Sequence, residues 1–338
     1  MRNEKLNLIG KRIVISRTDS LGDVVLCLPV ASVLKRLYPG CTVIFLGKSY
    51  TRDLIDCCEY VDTFADWEEL RKTEQGLASL KADAIIHVFP VKEIAIAAKQ
   101  AGIPLRIGST GRFYHWNSCN KLVRLSRRHS ALHESQLNLK LLVPLGARRL
   151  FSLNEIQDLY GLAKVHHLTS EQKSLLSPDC FNLVLHPGSK GSAREWGLQN
   201  FSQLIELLPK DKYKIFITGT AAESADLKES LLAHHPEVTD LCGKFTLAEL
   251  IAFIANVDGL VAASTGPLHI AAALGRTAIG IYPPIKPMHP GRWAPVGPCS
   301  YPLVVNRKCS KCRKHGECSC MQEITPEMVR DKLFEIFH

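Results

Sequence analysis

The chain carries no GxGxxG fingerprint and no GxxxxGK[ST] loop, which argues against a nicotinamide enzyme and a P-loop NTPase. No two aspartates stand one residue apart, so the DxD divalent-cation motif is missing too. No apolar run is long enough to span a bilayer, and the opening MRNEKLNLIGKRIVIS lacks a signal-peptide core and cleavage site. A cytoplasmic protein is therefore expected. There is no short-period repeat and no low-complexity tract, and 46% hydrophobic with 22% charged residues is a globular composition.

What is present points to anionic partners and to two domains. The formal charge of +9 suits an anionic partner such as nucleic acid, a nucleotide or an acidic lipid surface. Twelve cysteines without an export signal read as reduced thiols or metal ligands, not a disulfide framework. The 338 residues are enough for two domains, each with its own core. Both halves alternate short apolar strands with amphipathic stretches, the pattern of parallel α/β domains. In the first half strands are expected at 12–16, 42–46, 84–88 and 105–108, with helices over 21–38, 91–101 and 131–142. Residues 146–180 read as a linker with a flanking helix. The second half has expected strands at 182–185, 214–218, 260–263 and 278–281, and a closing helix over 326–337.

Three strand ends carry candidate chemistry. The segment VDGLVAASTGPLHIAAALGRTAIGIYPP, residues 257–284, runs from a buried strand into Ser264-Thr265-Gly266-Pro267 and a small-residue helix. Hydroxyl residues can cap that helix, Pro267 suits its first turn, and its free amides favour an anion such as phosphate. In LHPGSKGSAREWGLQNF, residues 185–201, a Gly-rich loop bears Lys190 and Arg194, two cations for a diphosphate. With the Ser264–His269 turn on the next-but-one strand they would form a two-sided clamp. After the strand at 214–218, Glu223 stands where it could bind ribose hydroxyls or serve only as a first-turn acid. In the first half, RTDSLGDVVLCLPVASVLK places Asp23 in a helical first turn at a strand's C-terminal edge. The helix dipole favours its ionised form, so it could accept a proton or merely complement the dipole. Asp19, before the helix, reads as a cap.

RTDSLGDVVLCLPV, HPGSKGSAREW, LCGKFTLAELIAFIANVD and STGPLHIAAALGRTAIGIY, in this order, resemble glycosyltransferase family 9, the heptosyltransferases of lipopolysaccharide synthesis. The resemblance spans roughly residues 11–335. It implies the GT-B architecture: α/β, two Rossmann-like domains with parallel sheets facing a central cleft. Residues 1–165 would form the acceptor domain and 166–325 the nucleotide-sugar domain, with a C-terminal helix, 326–338, packing back on the first. It further implies an ADP-heptose donor, an inner-core lipopolysaccharide acceptor at the inner membrane's cytoplasmic face, inversion at the anomeric carbon, and no catalytic metal or nucleic acid.

By position in the family's motifs, Asp23 matches the catalytic base. Ser189, Lys190, Arg194, Glu223, Phe245, Ser264, Thr265, Gly266 and His269 match the donor site. Members commonly have aspartate where this chain has Ser264, which implies a different sugar, a weaker donor site or compensation elsewhere. Arg106, Arg112, Arg124 and Arg127 are candidates to receive an acidic glycolipid. In CSKCRKHGECSC, the thiols of Cys309, Cys312, Cys318 and Cys320 are close enough in sequence to hold a structural Zn or Fe. Two further readings stay open: transfer to a protein acceptor, and a nucleotide-sugar-binding scaffold whose catalysis has decayed.

Overall fold

The computed structural model describes residues 7–286, 288–307, 309 and 319–337. The chain separates into two compact units, Met1–Lys164 and Val165–His338. In the first, β1 (Arg12–Ser16), β2 (Thr42–Gly47), β3 (Thr63–Asp66), β4 (Ala84–His87), β5 (Leu105–Ser109) and β6 (Lys121–Val123) form a parallel sheet in the order β3-β2-β1-β4-β5-β6. In the second, β7 (Phe181–His186), β8 (Tyr213–Ile217), β9 (Thr239–Asp240), β10 (Gly259–Ala263), β11 (Thr277–Tyr282) and β12 (Ser300–Val304) take the order β12-β11-β10-β7-β8-β9. Counted within each unit, both sheets follow the order 3-2-1-4-5-6 of the Rossmann fold. Inner strands such as RIVIS, TVIFLG and GLVAA are covered on both faces, which is why they read as unbroken apolar runs.

The sequence does not announce β3, β6, β9 and β12, and these are the four sheet edges. An edge strand is half-covered and needs no continuous apolar run. TFAD, KLV and TD are short, and SYPLV includes Pro302, which only an edge accommodates readily. The single helix expected over 21–38 is two, Leu21–Val25 and Pro29–Leu37. Pro29 has no N–H to continue the first and is preorganised to begin the second. The helix expected from residue 131 begins at Glu134, where His133 and Gln136 form a reciprocal capping box.

The terminal helix, Pro326–Phe337, falls within the second unit. It lies against the helix Leu198–Leu207. Val329 and Leu333 join Phe201 and Leu204 in one core, and the Phe337 ring stands 5.6 Å from that of Phe181. That apolar stripe has its partner within its own unit, burying two aliphatic side chains worth about 1.5–3 kcal/mol each.

Candidate functional site

In the first unit the site begins where β1 ends. Arg17 is fully buried and donates from Nε and Nη2 to the two oxygens of Asp19, at 2.8 and 2.9 Å. Its Nη2 also donates to Asp23, and its Nη1 to Glu134 at 3.2 Å and Asn138 at 3.0 Å. Burial opposes its charge, but Asp19, Asp23 and Glu134 together hold its pKa above the ordinary range. Glu134, with no exposed side-chain surface, also accepts from Arg127 at 2.8 Å, and Arg127 reaches the Val88 carbonyl at 2.8 Å. Asp23 sits in the first turn of Leu21–Val25, accepts from Ser20 Oγ as well as Arg17, and keeps part of its surface open. The carboxylate is thus gripped on one side and reachable on the other.

Asp19 is not a cap: Ser20 holds the N-cap place, and the Asp19 carboxylate lies on Arg17. Burial, only partly offset by Arg17, pushes the Asp19 carboxyl up to about 6. Sequence reasoning missed Arg17, Glu134 and Asn138, and it offered Arg127 to an acidic acceptor, where the structure ties it to Glu134. A cation after a strand reads as solvated surface charge, and Glu134 is 117 residues away from it.

In the second unit β10 pairs directly with β7, so the Ser264 turn and the Gly188–Ser192 loop are on adjacent strands, not on strands one apart. β8 flanks β7 on its other side, bringing Glu223 to the same edge. Ser189 organises the loop: its N–H and hydroxyl donate to Glu195 Oε1 at 2.8 and 2.9 Å, and its Oγ accepts from the Gly191 N–H at 3.2 Å. Lys190 is exposed and left-handed at φ 50, followed by Gly191 at φ 76. Such a backbone costs a non-glycine residue on the order of 1 kcal/mol and turns successive amides toward one side. Glu223 accepts from the Thr220 N–H at 2.8 Å and hydroxyl at 2.7 Å. Burial pushes its carboxyl up, but those bonds, with His186 and Lys190 nearby, win and lower its pKa. Burial lowers the His186 imidazole to about 4, against the pull of Glu223.

Thr265 takes the N-cap place of the helix Gly266–Ala273, with Pro267 in its first turn. Its hydroxyl, expected to cap, bonds none of the helix amides, and its buried Oγ1 has no partner among the described residues. His269 is buried one turn on. Ser264 lies beside Tyr282, whose hydroxyl donates to the Trp293 carbonyl at 2.7 Å. Phe245 is partly exposed beyond β9, its ring 5.2 Å from that of Phe253. Behind the loop, the buried Trp196 donates from Nε1 to the Ile324 carbonyl at 2.6 Å, and Asn200 donates to Gln322 at 2.7 Å. The structure therefore gathers Ser189, Lys190, Arg194, Glu223, Ser264, Thr265, Gly266 and His269 along three neighbouring strand ends, with Phe245 farther out.

The other three arginines offered to an acceptor part company. Arg106 donates to the carbonyls of Ser118, at 2.7 Å, and Ile103, so it braces the backbone of its own unit. Arg112 and Arg124 are exposed. Of the cysteine cluster, Cys312 and Cys318 lie outside the described residues. Cys309 and Cys320 pack near Ile285, with Arg307 hydrogen-bonded to both. Among the described residues no three metal-ligating side chains stand together. No helix among them is long and apolar enough to cross a membrane.

Two Rossmann-like units with their polar residues at the C-terminal strand edges define a doubly wound α/β protein of the kind that binds ligands at those edges. The family model of glycosyltransferase family 9 (heptosyltransferase) matches residues 70–321, three quarters of the chain, which therefore belongs to that family and is a glycosyltransferase. The chain is 21% identical to the lipopolysaccharide core heptosyltransferase OpsX of Haemophilus influenzae, over 80% of this chain and 79% of the other. Its fold is similar to that of E. coli ADP-heptose lps heptosyltransferase II, with TM-score 0.76, 22% identity, and 96% and 98% of the two chains covered. It is also similar to E. coli heptosyltransferase WaaC with ADP, at TM-score 0.70 and 18% identity over 96% and 99%. The expected α/β fold of GT-B type, with parallel sheets, is the one found.

Proposed function

We propose that this protein transfers a heptose or a related sugar from an ADP-sugar to the lipopolysaccharide inner core, with inversion and without a catalytic metal. The observation that carries the reading is the Asp23 carboxylate, held by Arg17 and Ser20 at the edge of the first sheet, in a chain of family 9. Asp23 takes the proton from an acceptor hydroxyl as that oxygen attacks the anomeric carbon. The bond from the anomeric carbon to the phosphate oxygen breaks on the opposite face, and ADP departs. Its developing charge is met by Lys190, Arg194 and the amides that open the helix Gly266–Ala273. Glu223 receives the ribose hydroxyls and Phe245 flanks the adenine. An ADP-bound structural neighbour and relatives named for lipopolysaccharide support the choice of donor and acceptor.

Ser264 cannot supply the carboxylate that the family's motif commonly has there, and the Tyr282 hydroxyl beside it is turned to the Trp293 carbonyl. We infer a donor sugar whose hydroxyls need a neutral partner at that position. Arg112 and Arg124 are assigned to the acidic acceptor, and the reaction to the cytoplasmic face of the inner membrane. The test is release of ADP, followed by mass spectrometry of the product, from ADP-heptose, other ADP-sugars and UDP- and GDP-sugars with a lipopolysaccharide-core acceptor. Release from an ADP-sugar is expected. Binding of the donor without release would overturn the enzyme reading in favour of a scaffold, and transfer only to a protein would overturn the acceptor.

A further inference from the structure

After β5 the chain makes one tight turn, Gly111–Tyr114, and one short helix, His115–Ser118. Two side chains of this segment are turned inward. Tyr114 donates its hydroxyl to the Pro90 carbonyl at 2.7 Å, and the buried His115 meets the Ser109 N–H at 3.0 Å through Nδ1. With 114 and 115 anchored, positions 113 and 116 must face out, on the same side of a helical turn. Phe113 is 86% exposed and Trp116 59% exposed. Phe113 is the most exposed of the large hydrophobic side chains among the described residues. The turn is held in place, since Thr110 N–H donates to the Val123 carbonyl at 3.0 Å and Trp116 Nε1 to the Thr110 carbonyl at 3.2 Å. The pair is therefore displayed on an anchored platform.

The stretch of chain that bears it is basic. From Ile94 to His133 the chain has no Asp or Glu and seven Lys and Arg. Arg106 and Arg127 are bound inside the unit, but Arg112, Lys121, Arg124 and Arg128 are exposed. A β-carbon on Gly111 would come within 3.3 Å of the Leu125 carbonyl, so the turn bearing Arg112 lies against the strand exit bearing Arg124. All the strands of this sheet are parallel, so these exits are on the same edge as Asp23, with β4 and β5 the next strands out from β1. Exposed aromatic rings on a basic stretch of chain that carries no acid match the headgroup layer of an anionic bilayer: the rings enter the interface and the cations pair with phosphates.

We propose that Phe113 and Trp116, with Arg112, Lys121, Arg124 and Arg128 around them, form the face by which the first unit docks on an anionic phospholipid surface. The proposal rests on the placement of the reaction at a membrane face and shares Arg112 and Arg124 with the acceptor assignment, but docking itself needs neither donor nor acceptor. The full chain is sedimented with vesicles of phosphatidylcholine alone and with phosphatidylglycerol added, holding no glycolipid. Binding is expected only to the anionic vesicles, weakening with salt, and falling about tenfold in Phe113→Ser/Trp116→Ser. Both positions are exposed, and an unchanged thermal midpoint shows that the variant is folded. Wild-type protein that stays off anionic vesicles overturns the proposal. So does a variant that binds as well as wild type, equal binding to both vesicle types, or binding seen only when the acceptor glycolipid is added. None of these results bears on ADP release in detergent, where the reading of the reaction is decided.

Discussion

A β-carbon on Gly188 would stand 2.1 Å from Oε1 of Glu223, far inside contact distance. The bare backbone at the end of β7 is what lets this carboxylate lie against the loop beside Lys190. Gly188→Ala should push Glu223 off its place, raising the donor KM about tenfold with kcat nearly unchanged. Steady-state kinetics over a donor series check it, and an unmoved donor KM would detach Glu223 from the ribose role.

Asp23→Asn keeps the shape of the side chain and removes its basicity. ADP affinity by calorimetry should stay near wild type, since the groups assigned to ADP are all in the second unit. Turnover should fall by roughly a hundredfold or more. Near-normal turnover would remove Asp23 from proton transfer.

Arg17→Met would leave the fully buried Glu134 and the two aspartates without their shared cation. Breaking a buried pair from one side typically costs about 3–5 kcal/mol. The loss should appear as faster hydrogen exchange of the β1 amides, with the β7 and β10 amides unchanged. Equal protection in the variant would mean that Arg127 alone neutralises the site.

His87 ends β4, is buried beside His115, and has no hydrogen-bond partner at either ring nitrogen among the described residues. Burial, with His115 and Arg106 nearby, lowers its pKa to about 3. The folded state therefore holds it neutral, while the unfolded chain protonates it near 6.5. Its contribution is complete above about pH 6.5 and is lost as the pH falls toward 3. The thermal midpoint should drop between pH 7 and 5. His87→Leu should shrink that drop, because a buried group with no polar partner leaves no orphan behind. A drop of the same size in the variant would place the acid sensitivity elsewhere, with His186 the next candidate.

The inner strands and the glycine-bearing turns are legible because burial on both faces and tight strand-to-helix turns each impose a local pattern. Asp23, Glu223 and the Ser264 turn could be located for that reason. The edges were silent, since a strand covered on one side needs no signature. The grip on Asp23 was silent for another reason: Arg17 meets Glu134 and Asn138 only through tertiary structure, and no spacing rule joins residues that far apart. Arg106 and the terminal helix show the same limit, because cations and apolar stripes reveal that they need a partner without revealing which one.

Trp196 follows directly on Glu195, the acid that fastens Ser189, and its indole hangs from the Ile324 carbonyl. The rear support of the glycine loop is thus a stretch of chain more than a hundred residues downstream. A change near Ile324 or Gln322 should register as slack in the loop proposed to hold the donor's phosphates, so on that proposal lesions there belong with donor-site lesions despite their address.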